Sequence, residues 1–367
     1  MGINLTGGGG GEGFTLNEKG LRNTFPEGTW LSSLKSTTDD LVSGINPAPF
    51  IGGDFATGVP ANGDAAVLNG TEIHMPATVT ALGFSGWNNT DLLFPEDRGS
   101  AHVVYDTETG EWELKSFVGT PQSAGAVASV GGTLYLLGGA AWNVFVDPDT
   151  GVFTYSWTEA NGWVRQADKP SSTFRTKGNE INGTIYVPGG RNIDSFAATD
   201  VLEAYTPSED SWESLSLLSI AKDAYASIVV DGEIYLFGGE NNAQNAITQA
   251  EKYIPDEDTW ELLAPMPTAV SRAGVFHDEA NGELIIFGGQ SAPGNDQGIT
   301  QMYENIMVYS IEDDTYEERT NVPVDPVLYP PYAEVDGVGY SFGMSDTTFV
   351  VSGRTPKYNA YIGGLEE

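Results

Sequence analysis

Cysteine is absent from this chain of 367 residues, and that absence excludes a disulfide framework, thiolate metal centres and a cysteine nucleophile. Histidine is nearly as scarce. His74, His102 and His277 are the whole set, and no two of them stand at a metal-ligand spacing. Basic residues are also few: eight lysines and eight arginines, unclustered, face 51 Asp plus Glu, for a formal net charge of -35. A surface of that sign repels phosphate backbones and anionic lipid, so neither nucleic acid nor a membrane surface is an expected partner. No apolar run approaches the roughly 18 residues that a membrane-spanning helix needs, so no membrane insertion is expected. Residues 1–14 (MGINLTGGGGGEGF) have no basic start and no apolar core of a secretory signal.

What is present belongs to a folded protein. Hydrophobic residues make up 40% of the chain and aromatic residues 11%, too many for a disordered polymer. The length allows two ordinary domains or one large all-β domain. The acidic excess has two readings. Molar salt shortens the Debye length to about 3 Å and makes a dense carboxylate surface tolerable; alternatively, the charge simply keeps an ordinary acidic protein soluble. The size of the imbalance favours the salt-rich setting.

An internal repeat organises the chain. A di-glycine ends a short apolar strand four times, in LYLLGG at Gly139, IYVPGG at Gly190, IYLFGG at Gly239 and LIIFGG at Gly289, at steps of 51, 49 and 50 residues. Each strand follows a tight-turn pair: Gly131-Gly132, Asn182-Gly183, Asp231-Gly232 or Asn281-Gly282, dipeptides suited to two-residue hairpins. A second landmark runs in phase. Tyr105, Tyr205 and Tyr253 precede Trp112, Trp212 and Trp260 by seven residues, Tyr309 precedes Tyr316 by seven, and Tyr155 precedes Trp163 by eight. Acidic turns such as TPSEDS and IPDEDT separate them. The unit therefore reads as four short strands in about 50 residues.

Through the di-glycine, the Tyr-to-Trp spacing and tails such as DTWELLAPMP (258–267), the chain resembles the kelch-repeat family over about residues 61–362. The resemblance implies an all-β fold, a six-bladed β-propeller with four-stranded blades. The expected blades span about 61–118, 124–169, 174–218, 224–266, 271–322 and 329–362, following an arm at 1–26. Two units depart from the pattern, with Ala77-Thr78 in place of di-glycine in one and Gly343 alone in the other. The sixth unit reaches a third-strand tyrosine at Tyr358 and then lacks an outer strand, while EGTWLSSL (27–34) carries Trp30 in a tryptophan slot. That segment is expected to close the ring as the outer strand of the last blade, removing an open sheet edge.

In such a propeller the loops after di-glycine and the connections between blades share one face. Here that face carries the long polar loops 190–200, 239–249 and 289–301. By resemblance, Arg191 and Asn192 after di-glycine, Arg175 and Arg272 at the starts of inner strands, and Asn241, Asn242, Gln290 and Trp142 at loop starts are the candidate ligand-binding residues. Arginines, amides and an aromatic around a concave mouth suit a sugar or a carboxylate-bearing peptide. The acidic turns around Asp210, Asp258 and Asp314 lie on the other face and are expected to matter little for recognition.

Catalytic signals are lacking: there is no GxSxG, no phosphate-binding glycine loop and no HExxH. Kelch copper-radical oxidases need a Cys–Tyr crosslink that this chain cannot form. The fragment Asp147-Pro148-Asp149-Thr150-Gly151 is too short for a calcium loop and reads as a turn. No catalytic residue, metal or cofactor is therefore expected. The glycine run Gly7–Gly11 makes a flexible tether, an arm that neighbouring subunits of an assembly would hold. The expected function is a non-enzymatic recognition or structural propeller displayed on a larger assembly. The favoured setting is a virion fibre or host-attachment protein from a high-salt environment, facing a host surface glycan or protein. A cytoplasmic kelch interaction scaffold and a propeller enzyme acting on a sugar are the alternatives.

Overall fold

The computed structural model describes residues 64–76, 102–109, 112–115, 124–140, 151–291, 303, 306–319 and 331–341, with short strands at 4–5, 14–15, 30–32 and 359–361. No α-helix occurs among them. Five antiparallel four-stranded sheets follow one another along the chain. The first orders Ala66–Leu68, Glu72–Pro76, His102–Asp106 and Trp112–Lys115; the second, Ala126–Val130, Thr133–Leu137, Thr154–Thr158 and Gly162–Arg165. The third orders Asn179–Ile181, Thr184–Pro188, Leu202–Thr206 and Ser211–Leu215; the fourth, Ala226–Val230, Glu233–Phe237, Ala250–Ile254 and Thr259–Leu262. Gly274–Asp278, Glu283–Phe287, Ile306–Ser310 and Thr315–Arg319 make the fifth. These are the blades of a β-propeller. Their first strands, together with Tyr332–Val335, neighbour one another in a closed circle around the channel.

The sixth place in that circle departs from expectation. It holds a hairpin, Tyr332–Val335 with Val338–Ser341, so the described residues give five four-stranded blades rather than six. Beside Val338–Ser341, a two-stranded ladder pairs Asn359–Tyr361 with Trp30–Ser32, and Trp30 stands opposite Tyr361. Tyr358 lies outside the described residues, as does the lone Gly343 that replaces the sixth di-glycine. In the N-terminal arm, Asn4–Leu5 pairs with Phe14–Thr15 on either side of the glycine run, which itself lies outside the described residues.

The turns follow local chemistry. Asn182 (φ 51°) with Gly183 (φ 85°), and Asp231 (φ 52°) with Gly232 (φ 79°), take the two left-handed positions of a two-residue hairpin. The fifth blade differs from expectation. Asp278 pairs with Glu283, so its turn is the four residues 279–282 rather than Asn281-Gly282 alone. Asp278 shapes this turn by accepting the Asn281 N–H at 3.1 Å.

The tyrosine and tryptophan landmarks meet across the two outer strands, with Tyr105 opposite Trp112, Tyr205 opposite Trp212, Tyr253 opposite Trp260 and Tyr309 opposite Tyr316. In the second blade Trp157, not Tyr155, faces Trp163. Its turn is one residue shorter than that of the third blade, which moves the slot to six residues ahead of the tryptophan.

These pairs also fasten one blade to the next. Tyr205 Oη donates to Asp210 Oδ1 at 2.7 Å, Tyr253 Oη to Asp258 Oδ1 at 2.7 Å, and Tyr309 Oη to Asp314 Oδ1 at 2.9 Å. The same oxygens accept backbone N–H groups of the preceding blade's tail, from Ala167, Ser216 and Ala264, each at 2.8 Å. Trp212 and Trp260 donate their indole N–H to the carbonyls of Ala167 and Ser216 at 3.1 and 3.0 Å. The acidic turns are therefore rivets between blades. Each of these aspartates adopts the left-handed region, with φ of 47°, 50° and 50°, which Asp tolerates better than most residues.

Replacing Asp258 is expected to show this. Burial opposes its charge, but hydrogen bonds from Ser216 and Tyr253 outweigh that and hold its carboxyl below the ordinary value. A carboxyl depressed on folding stabilises above its unfolded pKa, and that contribution fades as pH falls through the folded one. Asp258→Ala should cost about 1–2 kcal/mol in denaturant titrations at pH 7, with the deficit narrowing below pH ~4. Asp256→Ala, in the same turn, should stay within about 0.5 kcal/mol of the parent.

Candidate functional site

The mouth of the channel is built on backbone joints. After the second strands of the second, third and fourth blades the di-glycine turns beneath the connection that leads into the next blade. Gly139 N donates to Thr173 O at 2.9 Å, Gly190 N to Lys222 O at 2.9 Å, and Gly239 N to Val270 O at 3.0 Å. A side chain does not fit there: a Cβ on Gly239 would lie 2.6 Å from Asp223 O, and one on Gly138 would lie 2.7 Å from Thr173 O. One residue into each inner segment, Ala124, Arg175, Ala224 and Arg272 all adopt positive φ, at 52°, 58°, 56° and 59°. Their backbones are linked in series, Arg175 N to Ala124 O at 2.7 Å, Ala224 N to Arg175 O at 2.9 Å, and Arg272 N to Ala224 O at 2.7 Å. This chain of amides fixes where the two arginines start.

A charge network lies on that frame. Arg191 Nη2 pairs with Asp223 Oδ2 at 2.6 Å, and its guanidinium donates to Phe196 O at 2.8 Å and Asn241 O at 3.1 Å. Arg272 Nε donates to Glu240 Oε1 at 2.7 Å, and Arg175 Nη1 lies 3.4 Å from Glu240 Oε2 and 3.7 Å from Asp223 Oδ1. Gln290 Nε2 and Ser271 Oγ donate to Glu240 Oε1 at 3.1 and 3.2 Å. Burial, the largest influence, raises the Asp223 carboxyl to about 6; Arg175 and Arg191 oppose the shift, and Glu240 adds to it.

The structure thus brings Arg175, Arg191, Arg272 and Gln290 together around two carboxylates that sequence reasoning missed. The signal was there. Glu240 follows di-glycine as Arg191 and Gln290 do, but in a chain of 51 acidic residues it read as one more surface carboxylate. Exposure separates the arginines. The side chains of Arg175 and Arg272 are 11% and 10% exposed, whereas that of Arg191 is wholly buried and braces the loops from within. The amides shape loops: Asn192 Oδ1 accepts the Ser195 N–H at 2.9 Å, Asn241 Oδ1 the Ala243 N–H at 2.9 Å, and Asn242 Oδ1 the Ala198 N–H at 2.7 Å. Trp142 and residues 147–150 lie outside the described residues.

Deeper along the inner strands, side chains cross the channel. Lys177 Nζ pairs with Asp64 at 3.2 Å and lies 4.6 Å from the Tyr332 ring centroid. Asp64 Oδ2 also accepts the N–H groups of Val127 and Gly178 at 3.0 and 2.9 Å. Tyr332 Oη donates to Ser227 O at 2.8 Å. The Lys177–Asp64, Gly178–Asp64 and Tyr332–Ser227 links join inner segments that are not neighbours in the circle. Among the described residues no group of three or more His, Cys, Asp or Glu is arranged to hold a metal, and no helix is long and apolar enough to cross a membrane.

The Asp223 environment makes a pH prediction with a definite sign. A carboxyl raised on folding binds protons more tightly in the folded state, so its contribution to stability falls as pH rises from its unfolded pKa to its folded one. Asn imitates the protonated form. The stability of Asp223→Asn relative to the parent should therefore improve between pH 4 and pH 7, by on the order of 2 kcal/mol. Paired thermal melts across that range are the check; a difference that stays constant would mean that Asp223 titrates normally.

Comparison with known proteins agrees with the geometry. A family model described as the Kelch motif matches residues 224–267, which cover the fourth blade. Beta-scruin of Limulus polyphemus is 29% identical over 146 residues, 38% of this chain and 16% of that protein. Kelch-like protein terF of Aspergillus terreus is 24% identical over 242 residues, 63% of this chain and 50% of that protein. Kelch repeat and BTB domain-containing protein 1 of cowpox virus is 27% identical over 140 residues, 38% of this chain and 24% of that protein. The matched stretches thus span half or less of these curated relatives. The di-glycine joints and Tyr–Trp pairs recur from blade to blade, and the fourth of these units carries a kelch motif.

Proposed function

We propose that this propeller is a non-enzymatic recognition module that engages its partner through the face carrying the post-di-glycine loops and the inter-blade connections. The observation that carries the reading is the arginine frame at the mouth. The Arg175 and Arg272 side chains, each about one-tenth exposed, start from a backbone held in place by the chain of αL amides and are already oriented by Glu240. Such preorganisation lowers the ordering cost of binding. Kelch propellers as a class bind protein partners, which supports a macromolecular ligand.

The finer setting is part of the same proposal. The module is displayed on a larger assembly, as a virion fibre or host-attachment protein, with the Trp30–Ser32 segment completing a sixth blade and the N-terminal arm contacting neighbouring subunits. The carboxylate excess supports a high-salt environment, where self-repulsion is screened. Thermal midpoints are then expected to rise from dilute buffer to molar potassium chloride; a flat response would remove the high-salt element.

Hydrogen–deuterium exchange on the protein in its native assembly, with and without the partner, tests the face. Partner-dependent protection is expected at 190–200, 239–249 and 271–273, and none at the turns 206–210, 254–258 and 310–314. Arg175→Lys with Arg272→Lys keeps both charges opposite Glu240 but removes the planar fork, and should weaken binding about tenfold with little change in melting. Protection confined to the acidic turns would place the working face on the opposite side.

A further inference from the structure

Phe196 stands on the loop after the third di-glycine with φ 56°, a backbone conformation that costs a bulky residue roughly 1–2 kcal/mol. The loop is built to hold it there. Phe196 N donates to Asn192 O at 3.0 Å, Asn192 N to Ala197 O at 2.8 Å, and Arg191 Nη1 to Phe196 O at 2.8 Å. The buried Arg191 guanidinium, which does not reach the surface, thus serves to fix the residue that does.

The Phe196 ring is 40% exposed. It rests against Phe174, with centroids 6.0 Å apart at 43°, and the Arg191 guanidinium lies 5.4 Å from its centroid. Of the large hydrophobic side chains exposed among the described residues, namely Val164, Phe196, Leu217 and Leu262, it is the one aromatic and the one on a post-di-glycine loop. The matching loop of the fourth blade lies beside it, joined through Ala198 N to Asn242 Oδ1 at 2.7 Å and Arg191 Nη2 to Asn241 O at 3.1 Å.

That second loop offers amides. Asn242 and Asn245 are exposed. The Asn242 Nδ2 group and the whole Asn245 side-chain amide have no partner among the described residues. Each amide presents donors and, in Asn245, an acceptor in one plane. Across residues 192–198 and 241–249 Asp194 is the one ionisable side chain, in a chain of net charge -35. An anionic ligand would meet Asp194 here, and the one cation beside these residues, Arg191, is buried and already paired with Asp223. What suits the surface is an uncharged ligand with an apolar face to lie on the ring and adjacent hydroxyls to share with the amides.

We propose that Phe196, with Asn242 and Asn245 beside it, forms a carbohydrate-binding site for neutral sugars at the edge of the channel mouth. The proposal rests on the recognition reading above and names the ligand class of that face.

The test applies the full-length protein to immobilised neutral oligosaccharides of glucose, galactose, mannose and N-acetylglucosamine, with sialylated and sulfated glycans and a peptide library as further arms. Calorimetry then measures affinity for the soluble form of any sugar retained. Binding of at least one neutral glycan is expected, little changed from dilute buffer to molar salt. Phe196→Ala should weaken it at least tenfold, Phe196→Trp should retain it, and Asn245→Ala should weaken it several-fold. Phe196→Gly suits the local backbone, so it should fold at least as well as the parent while losing the sugar. Retention of sialylated or sulfated glycans alone, neutral binding indifferent to Phe196, or no glycan binding at millimolar concentration would overturn the proposal. If peptides bind instead and are lost on Phe196→Ala, the sugar assignment falls and the recognition face stands; if sugars protect only the acidic turns, both fall.

Discussion

Backbone passing against backbone at the di-glycine joints is the constraint on which the rest of this molecule depends. At Gly239 the carbonyl of Asp223 occupies the space that a Cβ would need. This close approach lets the connection entering one blade lie across the exit from the blade before it. The arrangement places Asp223 beside Glu240 through paired backbone hydrogen bonds of 3.1 and 2.7 Å, and Ser271 beside Gln290 through bonds of 3.0 and 2.9 Å. The charge network at the mouth is thus a consequence of where the main chain can pass. A larger residue at the joint would move the loops before it touched any ligand.

The same joints carry buried ions between blades. Lys222 Nζ meets Glu251 Oε1 at 2.7 Å with both side chains fully buried, and Lys169 pairs with Glu203 one blade earlier. Burial, the larger influence, lowers the ammonium pKa in both lysines, against the pull of each partner carboxylate. In the fifth blade the positions of Lys222 and Glu251 are held by Val270 and Met307, 1% and 0% exposed within one hydrophobic cluster. The propeller therefore accepts an ion pair or an apolar pair at the same joint. That fits the general finding that a buried pair offers little net advantage over well-packed hydrocarbon, whereas losing one partner is strongly destabilising.

The fastening of the blades and the proposed recognition surface occupy opposite faces. On one face Asp210, Asp258 and Asp314 fasten adjacent blades, so the carboxylates that look most disposable in the sequence are structural. On the other, the largest buried cation, Arg191, organises a loop rather than meeting a partner. The acidic character of the chain is concentrated away from residues 192–198 and 241–249, where amides and one aromatic ring take over. A binding surface of that kind needs rigidity more than charge, and the αL amide chain with its arginine braces supplies it.

Much of this was legible in the sequence because it is local. Glycine pairs and Asn-Gly or Asp-Gly dipeptides announce backbone conformations that other residues avoid, and their 50-residue recurrence announces the repeat. The Tyr-to-Trp spacing located the outer hairpins, except where a shorter turn put Trp157 rather than Tyr155 opposite Trp163. A residue count cannot see such a shift, since register is decided by pairing. The repeat pattern implied six blades, whereas the described residues complete five four-stranded ones. What tertiary structure alone decided was the fate of each polar side chain. Arg175, Arg191 and Arg272 look alike as letters, yet one is wholly buried and two keep a small exposed part, because burial depends on which neighbouring blade covers them. Asp223, Glu240 and Phe196 were unremarkable in the sequence for the same reason: their roles come from groups tens of residues away, brought within a few ångströms by closure of the ring.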